Sequence, residues 1–400
     1  MTADALVALK TMQVEPVTES DRVQALRPEW RELCTASSWP NVFLTGEWVA
    51  AYCAYEAGQA RPFVLTLRQS GRLGGVLPLV AVGSPPWKLR FATHPQVAEY
   101  ADVLAPAGAE ATVAQVALEW LAAQRGLWSR LELPRVRETS PLLAALRQGA
   151  AQRHWNLVER ARPASLCITL PSDWETFVRS SDRLKRIARY MRKCVRELGV
   201  HLKVYRRPEE IAQGLETLFD LHQRRWAERP GSSNFLPMRA FMDQTAAPLA
   251  EADLIRVFVL HSGGGEALAA WLAYVCGDQV FSFQTGFDPG WQEYKVGTVL
   301  LGFVLQRAIE EGYREFDFLG GDAEYKHYWS NQTRGKRDVM LFPPTWQGRC
   351  RATQMQWLLR LRQAGRQVVG RRPWSWPRRP RPRAEQTERD TVGAPGSARD

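Results

Sequence analysis

The chain has 400 residues, which is too long for one ordinary domain and fits two domains and a tail. Hydrophobic residues make up 45% and charged residues 24%, an ordinary globular composition that can bury real cores and excludes a wholly disordered chain. Residues 346–400 hold thirteen arginines, no lysine and four acidic residues, so they carry +9 of the net charge of +11.

The sequence shows no segment for export or membrane insertion. The longest apolar runs, near Leu268–Cys276 and Val296–Leu305, are well short of the roughly 18 residues that span a bilayer. Residues Met1–Lys10 lack the basic segment followed by an apolar stretch that marks a secretory signal. The six cysteines include no C-x-x-C pair and are expected to be free thiols. We therefore expect a cytoplasmic protein.

The first block, residues 12–160, predicts a mixed sheet with helices. Two strand-like segments flank a turn at Gln69–Arg72, and Ala111–Arg125 has helical spacing. The predicted strands are Pro62–Arg68, Leu73–Val82, Lys88–Ala92, Ala101–Ala105 and Arg130–Leu133, and the second helix is Pro141–Arg153.

The second block, residues 161–345, begins with helices and continues with strands. The range Trp174–Leu198 is predicted to contain a long helix, because apolar side chains recur three or four positions apart from Leu184 to Leu198 and the opposite face is strongly basic. Three strand signals separated by glycine turns then predict an antiparallel meander. The predicted later elements are helices at Glu209–Arg225, Met238–Ala250 and Thr298–Glu311, and strands at Leu254–His261, Glu266–Cys276, Gln279–Phe287, Arg314–Leu319 and Asp338–Phe342.

The loop Asp288–Thr298 leads from this meander into a helix. Unpaired amides at a helix start and the helix dipole both favour anions, so Gly297 and Thr298 suit a pyrophosphate, with Lys295 as an added positive charge. An ordinary helix cap fits the loop equally well.

The segment Glu315–Trp329 combines a short strand, a double glycine and a cluster of ionisable side chains. Phe316 and Phe318 should face the core and leave Asp317 on the other side. Composition alone favours a polar loop after the strand. The ionisable residues of this loop are Asp322, Glu324, Tyr325, Lys326 and His327.

Several stretches up to about residue 345 carry a resemblance to one family. The most specific are Phe287-Asp-Pro289 and Phe316-Asp-Phe-Leu-Gly-Gly-Asp322 with Tyr325-Lys326. They resemble the CelD/BcsL type of bacterial acetyltransferase, a GNAT-superfamily group associated with cellulose biosynthesis and related to FemAB-like transferases. The family has Ser-Pro-Gly where this chain has Lys295-Val-Gly297. Weaker matches are Phe43–Trp48, Leu73–Val82, Glu99–Leu104 and Leu221–Trp226.

The resemblance implies an α+β fold of tandem GNAT-like domains, each a mixed, largely antiparallel sheet flanked by helices. The first domain would be 12–160, the acyl-CoA-binding domain 161–345, and 346–400 a basic, partly disordered tail. An acceptor amine or hydroxyl would attack the thioester of acetyl-CoA or another acyl-CoA directly, in polysaccharide or cell-envelope biosynthesis. The candidate residues are Asp322, Lys326, Tyr325, Asp317 and Glu324 for catalysis, Lys295, Val296, Gly297, Thr298 and Gln284 for the cofactor, and Arg225 and Trp226 for the acceptor.

Two alternatives stay open. A FemAB-like enzyme would transfer an aminoacyl group from charged tRNA to a cell-wall precursor, and the basic helix would then contact RNA. A non-catalytic protein could use the basic helix and the tail to contact an anionic membrane surface or nucleic acid. The scattered histidines lack metal-ligand spacing, so no metal is expected.

Overall fold

The computed structural model describes the backbone of residues 12–97, 99–226, 233, 235–321 and 323–371, and side chains as far as residue 361. The chain divides into a large unit, Met1–Gln354, and a C-terminal unit, Met355–Asp400. The first block contains strands β1 (Gln13–Val17), β2 (Ala60–Pro62), β3 (Val64–Gln69), β4 (Arg72–Leu77), β5 (Leu79–Val82), β6 (Trp87–Phe91) and β7 (Trp128–Arg137), and helices α1 (Ser20–Ala25), α2 (Arg27–Ala36), α3 (Gly46–Tyr55), α4 (Glu110–Ala123) and α5 (Pro141–Arg153).

The second block follows the predicted order of helices and then strands. Its strands are β8 (Asn156–Thr169), β9 (His201–Tyr205), β10 (Ile255–His261), β11 (Ala267–Cys276), β12 (Gln279–Phe287), β13 (Glu315–Asp317) and β14 (Gln332–Phe342). Its helices are α6 (Trp174–Arg179), α7 (Asp182–Leu198), α8 (Pro208–Trp226), α9 (Arg239–Glu251), α10 (Val296–Glu310) and α11 (Glu324–Trp329), and α12 (Trp346–Arg371) continues into the tail.

One sheet of eleven strands runs through both blocks in the order β2-β5-β6-β7-β14-β8-β13-β12-β11-β10-β9, and β1, β3 and β4 form a separate small sheet. Only the pairs β6–β7 and β12–β13 are parallel. The predicted mixed, largely antiparallel α+β fold is therefore confirmed. Strand β14 pairs with β7 on one side and β8 on the other, and the predicted domain boundary at residues 160/161 falls inside β8.

Helices cover both faces of the second-block half of this sheet. Helices α8 and α9 pack on one face together with the first block, around Tyr274 and Phe281. Helices α7 and α10 pack on the opposite face, around Trp271 and Phe316. Because both faces are covered, residues of β10 and β11 are buried on both sides of the sheet.

Several predicted elements differ from the structure for local reasons. The long helix predicted within Trp174–Leu198 is α7, which begins at Asp182 because the Ser181 hydroxyl accepts a hydrogen bond from the Leu184 amide, and the short helix α6 precedes it. The strand predicted at Ala101–Ala105 is reduced to a single bridge between Leu104 and Val76. The polar loop expected after Gly321 contains the short helix α11. Strand β14 begins at Gln332, six residues earlier than predicted.

A buried ionic network joins the two blocks at Asp317. Its side chain is completely buried, and one carboxylate oxygen accepts hydrogen bonds from Tyr100 Oη and Arg334 Nη1, each at 2.6 Å. The other oxygen accepts from the Leu319 amide at 2.7 Å. Arg334 also pairs with Glu315 at 2.7 Å. Asp317 lies on the opposite side of the strand from Phe316 and Phe318, as predicted, and the first block covers it there.

A second buried ion pair lies beside the first. Lys336 Nζ contacts Glu99 Oε2 and Ser165 Oγ, each at 2.8 Å. Arg135 Nη1 lies 3.1 Å from the other oxygen of Glu99. Glu99 and Tyr100 are consecutive, so one short first-block segment is held by two strands of the second block.

The described part of the tail is helical. Helix α12 leaves Trp346, Trp357 and Leu361 largely exposed, and residues 373–400, predicted as disordered, lie outside the described residues. None of the helices in the described ranges is long and apolar enough to cross a membrane. Contact of the tail with a membrane surface stays a prediction.

Replacing Asp317 with Asn should destabilise the protein strongly. The change leaves the buried guanidinium of Arg334 without one of its two carboxylates, and breaking a buried ion pair costs about 3–5 kcal/mol. Urea denaturation measures the loss. The exposed carboxylate of Glu324 provides the control, since Glu324→Ala should change the free energy of unfolding by less than about 0.5 kcal/mol. Equal effects of the two variants would contradict a structural role for Asp317.

Candidate functional site

Strands β12 and β13 separate after three paired residues. Their parallel pairing covers only Gln279–Phe281 against Glu315–Asp317. Beyond this point β12 stays paired with β11, and no other described strand joins its free edge. Opposite Leu272–Ala273 the register skips Phe283, which marks a β-bulge, and a bulge bends the strand that carries it. The sheet therefore has a split at its centre.

A cavity of about 400 Å³ opens at this split. Four parts of the fold build its wall: the first-block segment around Glu99, the end of α8, strands β11 and β12, and the chain after β13. The lining residues used below are Glu99, Arg135, Arg225, Trp226, Phe235, Trp271, Ser282, Phe283, Gln284, Gly320, Tyr325 and Lys326.

The cavity reaches both faces of the sheet. Phe235 and Phe283 belong to the core under α8 and α9, whereas Trp271 and Tyr325 belong to the core under α7 and α10. Two molecules entering from opposite faces would therefore meet at the free edge of β12.

Five of the predicted site residues line the cavity: Gln284, Arg225, Trp226, Tyr325 and Lys326. The end of α8 reaches it because Gly286 of β12 has no side chain, since a Cβ there would lie 2.6 Å from the His222 amide nitrogen. His222 Nδ1 also lies 3.0 Å from the Thr285 carbonyl oxygen. These contacts fix the last turn of α8 against β12.

Tyr325 and Lys326 lie on one side of the cavity. The Tyr325 ring stands edge-on to Trp271 and Phe318, and burial raises the pKa of its phenol to about 12. The phenol is therefore protonated at neutral pH and can donate a proton. Lys326 is buried, and its Nζ donates to the carbonyls of Phe318 at 2.8 Å and Gly320 at 2.5 Å. These two hydrogen bonds hold the chain after β13 folded back on itself.

Two predicted catalytic residues, Asp317 and Glu324, are not among the described residues that line the cavity. Asp317 is enclosed in the ionic network, and Glu324 is exposed and accepts a hydrogen bond from Tyr328 Oη. Asp322 lies outside the described residues, so its role stays a prediction.

The predicted cofactor residues Lys295–Thr298 lie at the start of α10, next to the wide end of the split. A Cβ on Gly297 would touch the ring of Phe287, the last residue of β12, at 3.4 Å. Val296 is buried, and the Thr298 amide donates to the Lys295 carbonyl at 2.8 Å. Lys295 is exposed and takes a left-handed conformation (φ +53°), which projects it from the turn.

A group of positive charges surrounds this turn. Lys295 Nζ donates to Tyr190 Oη at 3.2 Å and lies 4.6 Å from the centre of its ring. This hydrogen bond lowers the pKa of Tyr190, and the charges of Lys295, Arg186 and Lys193 act in the same direction. The start of α10 is thus a positively charged surface, as an anionic ligand requires.

Glu99 is the site residue that sequence reasoning missed. It is the only acidic side chain among the described residues that line the cavity, and it comes from the first block. Burial raises the pKa of its carboxyl, although Lys336 and Arg135 oppose the effect. An acidic residue inside an otherwise apolar segment was a usable signal, but its partner Lys336 lies 237 positions away in the sequence.

One described group has the composition of a metal site. Ligand atoms of Cys167, Glu315 and Asp317 lie within 4.8 Å of one another. Both carboxylates are bound by Arg334, whose guanidinium occupies the place a cation would take. This group is therefore part of the structural network.

Residues 181–327 match the family described as Acetyltransferase (GNAT) domain. No curated protein matches the chain. The matched segment includes the basic helix α7, the split strands and the first part of α11. It is similar to a GNAT acetyltransferase domain, and the prediction that the protein is an acyltransferase is confirmed.

Solved structures share the fold over most of the chain. FemX has a TM-score of 0.58 at 10% identity, covering 83% of this chain and 97% of FemX. L-PGS from Bacillus licheniformis has a TM-score of 0.51 at 13% identity, with 84% and 95% covered. A protein of unknown function from Bacteroides thetaiotaomicron has a TM-score of 0.54 at 10% identity, with 83% and 99% covered. At these identities the similarity establishes the fold alone.

Replacing Gly320 with Ala should disturb the cavity wall. The added Cβ would lie 2.7 Å from Glu99 Oε1, and this oxygen cannot move away because Lys336 and Arg135 hold the carboxylate. We expect a loss of about 1–3 kcal/mol in the free energy of unfolding, measured by urea denaturation. Gly126→Ala is the matched control, because a Cβ there has no neighbour within 4 Å. Equal free energies of unfolding for the two variants would contradict a tight contact between Gly320 and Glu99.

Proposed function

We propose that the protein transfers an acetyl or other acyl group from acyl-CoA to an amine or hydroxyl acceptor. The observation that carries this proposal is the split between β12 and β13, which opens into the cavity and has the positively charged start of α10 at its wide end. A split sheet leaves backbone amides of one strand free for a ligand that runs between the strands.

The donor would lie along the free edge of β12. Its phosphates would contact the start of α10 near Lys295, Gly297 and Thr298, and its pantetheine arm would run past Gln284 into the split. An amide of Ser282–Thr285 would then donate a hydrogen bond to the thioester carbonyl oxygen and stabilise the charge that develops there.

The acceptor would enter from the opposite face, between the first block and α8. Its nitrogen or oxygen attacks the thioester carbonyl carbon, a new C–N or C–O bond forms, and the C–S bond breaks. The Glu99 carboxylate would take the proton that the acceptor loses, and the protonated Tyr325 phenol would give a proton to the leaving thiolate. Transfer of the acceptor's proton from Glu99 to Tyr325 through solvent restores both groups.

The resemblance to CelD/BcsL-type enzymes favours an acceptor in polysaccharide or cell-envelope biosynthesis. The aromatic side chains on the acceptor side, Trp226, Phe235 and Phe283, suit the apolar face of a sugar ring.

A FemAB-like donor, an aminoacyl-tRNA, is the second candidate. The observation in its favour is the exposed face of α7, where Arg186, Arg189 and Arg192 form no ion pair with any described residue. Such a face next to Lys295 could follow an RNA backbone. The GNAT match over residues 181–327 supports acyl-CoA as the first candidate.

Acetyl-CoA should stabilise the protein, and Lys295→Glu should weaken this effect. Saturation at about 100 times Kd adds about 2.7 kcal/mol to the free energy of unfolding, which thermal shift detects. Reversing the charge at an exposed phosphate contact should raise Kd roughly five- to tenfold. Arg207→Glu is the control, because Arg207 is exposed at the far end of α8, about 27 Å from the cavity end. Stabilisation by charged tRNA, with none by acetyl-CoA, would support the second candidate instead.

Glu99→Gln should reduce turnover about a hundredfold to ten-thousandfold without weakening acetyl-CoA binding, because Gln cannot accept the proton. The wild-type rate should fall at low pH as Glu99 becomes protonated, at a pH above the ordinary glutamate range because burial raises its pKa, and the variant should lack this limb. Release of CoA thiol with an amino-sugar panel measures the rate.

The variant Tyr100→Phe tests whether Glu99 acts as a base or only stabilises the contact between the two blocks. It removes the hydrogen bond to Asp317 in the same inter-block contact and leaves Glu99 in place. We expect it to lower stability and keep the pH profile. Parallel losses of stability and rate in both variants, with an unchanged pH profile, would show that Glu99 only holds the blocks together.

A further inference from the structure

Two neighbouring arginines at the end of α8 differ sharply in their partners. Arg224 is half exposed and pairs with Asp220 at 2.7 Å and Asp288 at 2.9 Å. Arg225 lines the cavity, is more buried, and pairs with no carboxylate of the described residues. The better shielded of the two cations is therefore the one without a counter-ion.

The contacts of Arg225 do not replace a counter-ion. Its Nη1 lies 3.5 Å from the Thr285 carbonyl oxygen, at the limit of a hydrogen bond, and its guanidinium lies 4.6 Å from the centre of the Phe287 ring. Burial lowers the pKa of Arg225, yet a guanidinium stays charged at any physiological pH. The carbonyl end of α8 compensates only part of this charge, because a helix dipole acts weakly compared with the desolvation of an ion.

A second unused donor lies next to Arg225. The indole Nε1 of Trp226 is buried and has no hydrogen-bond partner among the described residues. Buried donors of this kind are rare in folded proteins and are explained by strain or by a missing ligand. Trp226 and Arg225 share one wall of the cavity, so a single ligand group could satisfy both.

The other charged groups of the cavity already have protein partners. Arg135 lies 3.1 Å from Glu99, and Lys326 donates to the carbonyls of Phe318 and Gly320. The donor's phosphates have their own positive surface at the start of α10. Arg225 and Trp226 belong to α8, which packs on the same face of the sheet as Phe235 and Phe283, and Arg225 also lies over the ring of Phe287, which packs with the opposite face.

We propose that Arg225 and Trp226 Nε1 bind an anionic group, a phosphate or a carboxylate, on the acceptor. This inference rests on the proposed acyl transfer and narrows its acceptor to an anionic molecule. A planar guanidinium can donate hydrogen bonds to two oxygens of either group at once, and the indole N–H can donate a third hydrogen bond to the same group. Neutral sugars and neutral amines would leave the charge of Arg225 unpaired and would bind weakly.

Calorimetric titration of the full chain with glucose 6-phosphate, glucuronate and glucose tests the proposal. We expect at least one anionic sugar to bind roughly ten- to a hundredfold more tightly than glucose, and the better one identifies phosphate or carboxylate as the group. Arg225→Gln should abolish the difference, and Trp226→Phe should reduce it. Arg224→Gln removes the same charge one residue away and should preserve it.

The melting temperature of Arg225→Gln and its stabilisation by acetyl-CoA test the proposal further. Arg225→Gln should leave the melting temperature unchanged or raise it, because the unliganded protein loses an unpaired buried charge. It should also keep the stabilisation by acetyl-CoA. Equal binding of all three sugars to the wild type, or unchanged anion binding in Arg225→Gln, would overturn the proposal. Loss of acetyl-CoA binding in Arg225→Gln would overturn it too, by assigning Arg225 to the donor. Absence of acetyl-CoA binding in the wild type would refute the donor and not the anion site.

Discussion

The pairing of buried charges between the two blocks is the constraint on which the site depends. Glu99 and Tyr100 come from the first block, and Asp317, Arg334 and Lys336 from the second. Moving each ion out of water costs several kcal/mol, which only a well-placed partner offsets. The buried charges of each block are therefore compensated only when the charged residues of the other block are present. Strand β14, which carries Arg334 and Lys336, also lies between β7 and β8, so the network and the sheet couple the same two blocks.

This network also shapes the cavity. Asp317 is the last paired residue of β13, and its carboxylate holds Tyr100, Arg334 and the amide of Leu319 at once. Leu319 then takes a left-handed conformation (φ +52°), and Lys326 binds the carbonyls on either side of it. The chain therefore turns away from β12 immediately after Asp317. The split between the strands follows from this turn and from the bulge at Phe283.

Local patterns in the sequence predicted the elements of the second block well, because glycine turns and apolar spacing act over a few residues. The meander, α8, α9 and α10 lie within two or three residues of their predicted bounds. The failures arise where distant chain segments decide the outcome. Strand alternation put Asp317 on the opposite side from Phe316 and Phe318, but its partners Tyr100 and Arg334 are not visible from residues 315–319. Glu99 was missed for the same reason, since its ion pair closes over more than two hundred residues. Arg225, Trp226, Tyr325 and Lys326 were found through resemblance, and no periodicity pointed to them.

The rule that buries charges in pairs also separates structural from functional residues here. Arg334, Lys336, Glu315 and Asp317 all have protein partners at hydrogen-bond distance, and the folded state needs no further molecule to satisfy them. Arg225 pairs with no carboxylate of the described residues, and it lies on the wall of a cavity that joins both faces of the sheet. A protein gains nothing in stability from such a residue, because a neutral side chain of similar size would avoid the desolvation cost. Under this proposal, an anion bound in the cavity would offset the desolvation cost of the Arg225 guanidinium. On this argument the guanidinium of Arg225 would bind the charge that identifies the acceptor.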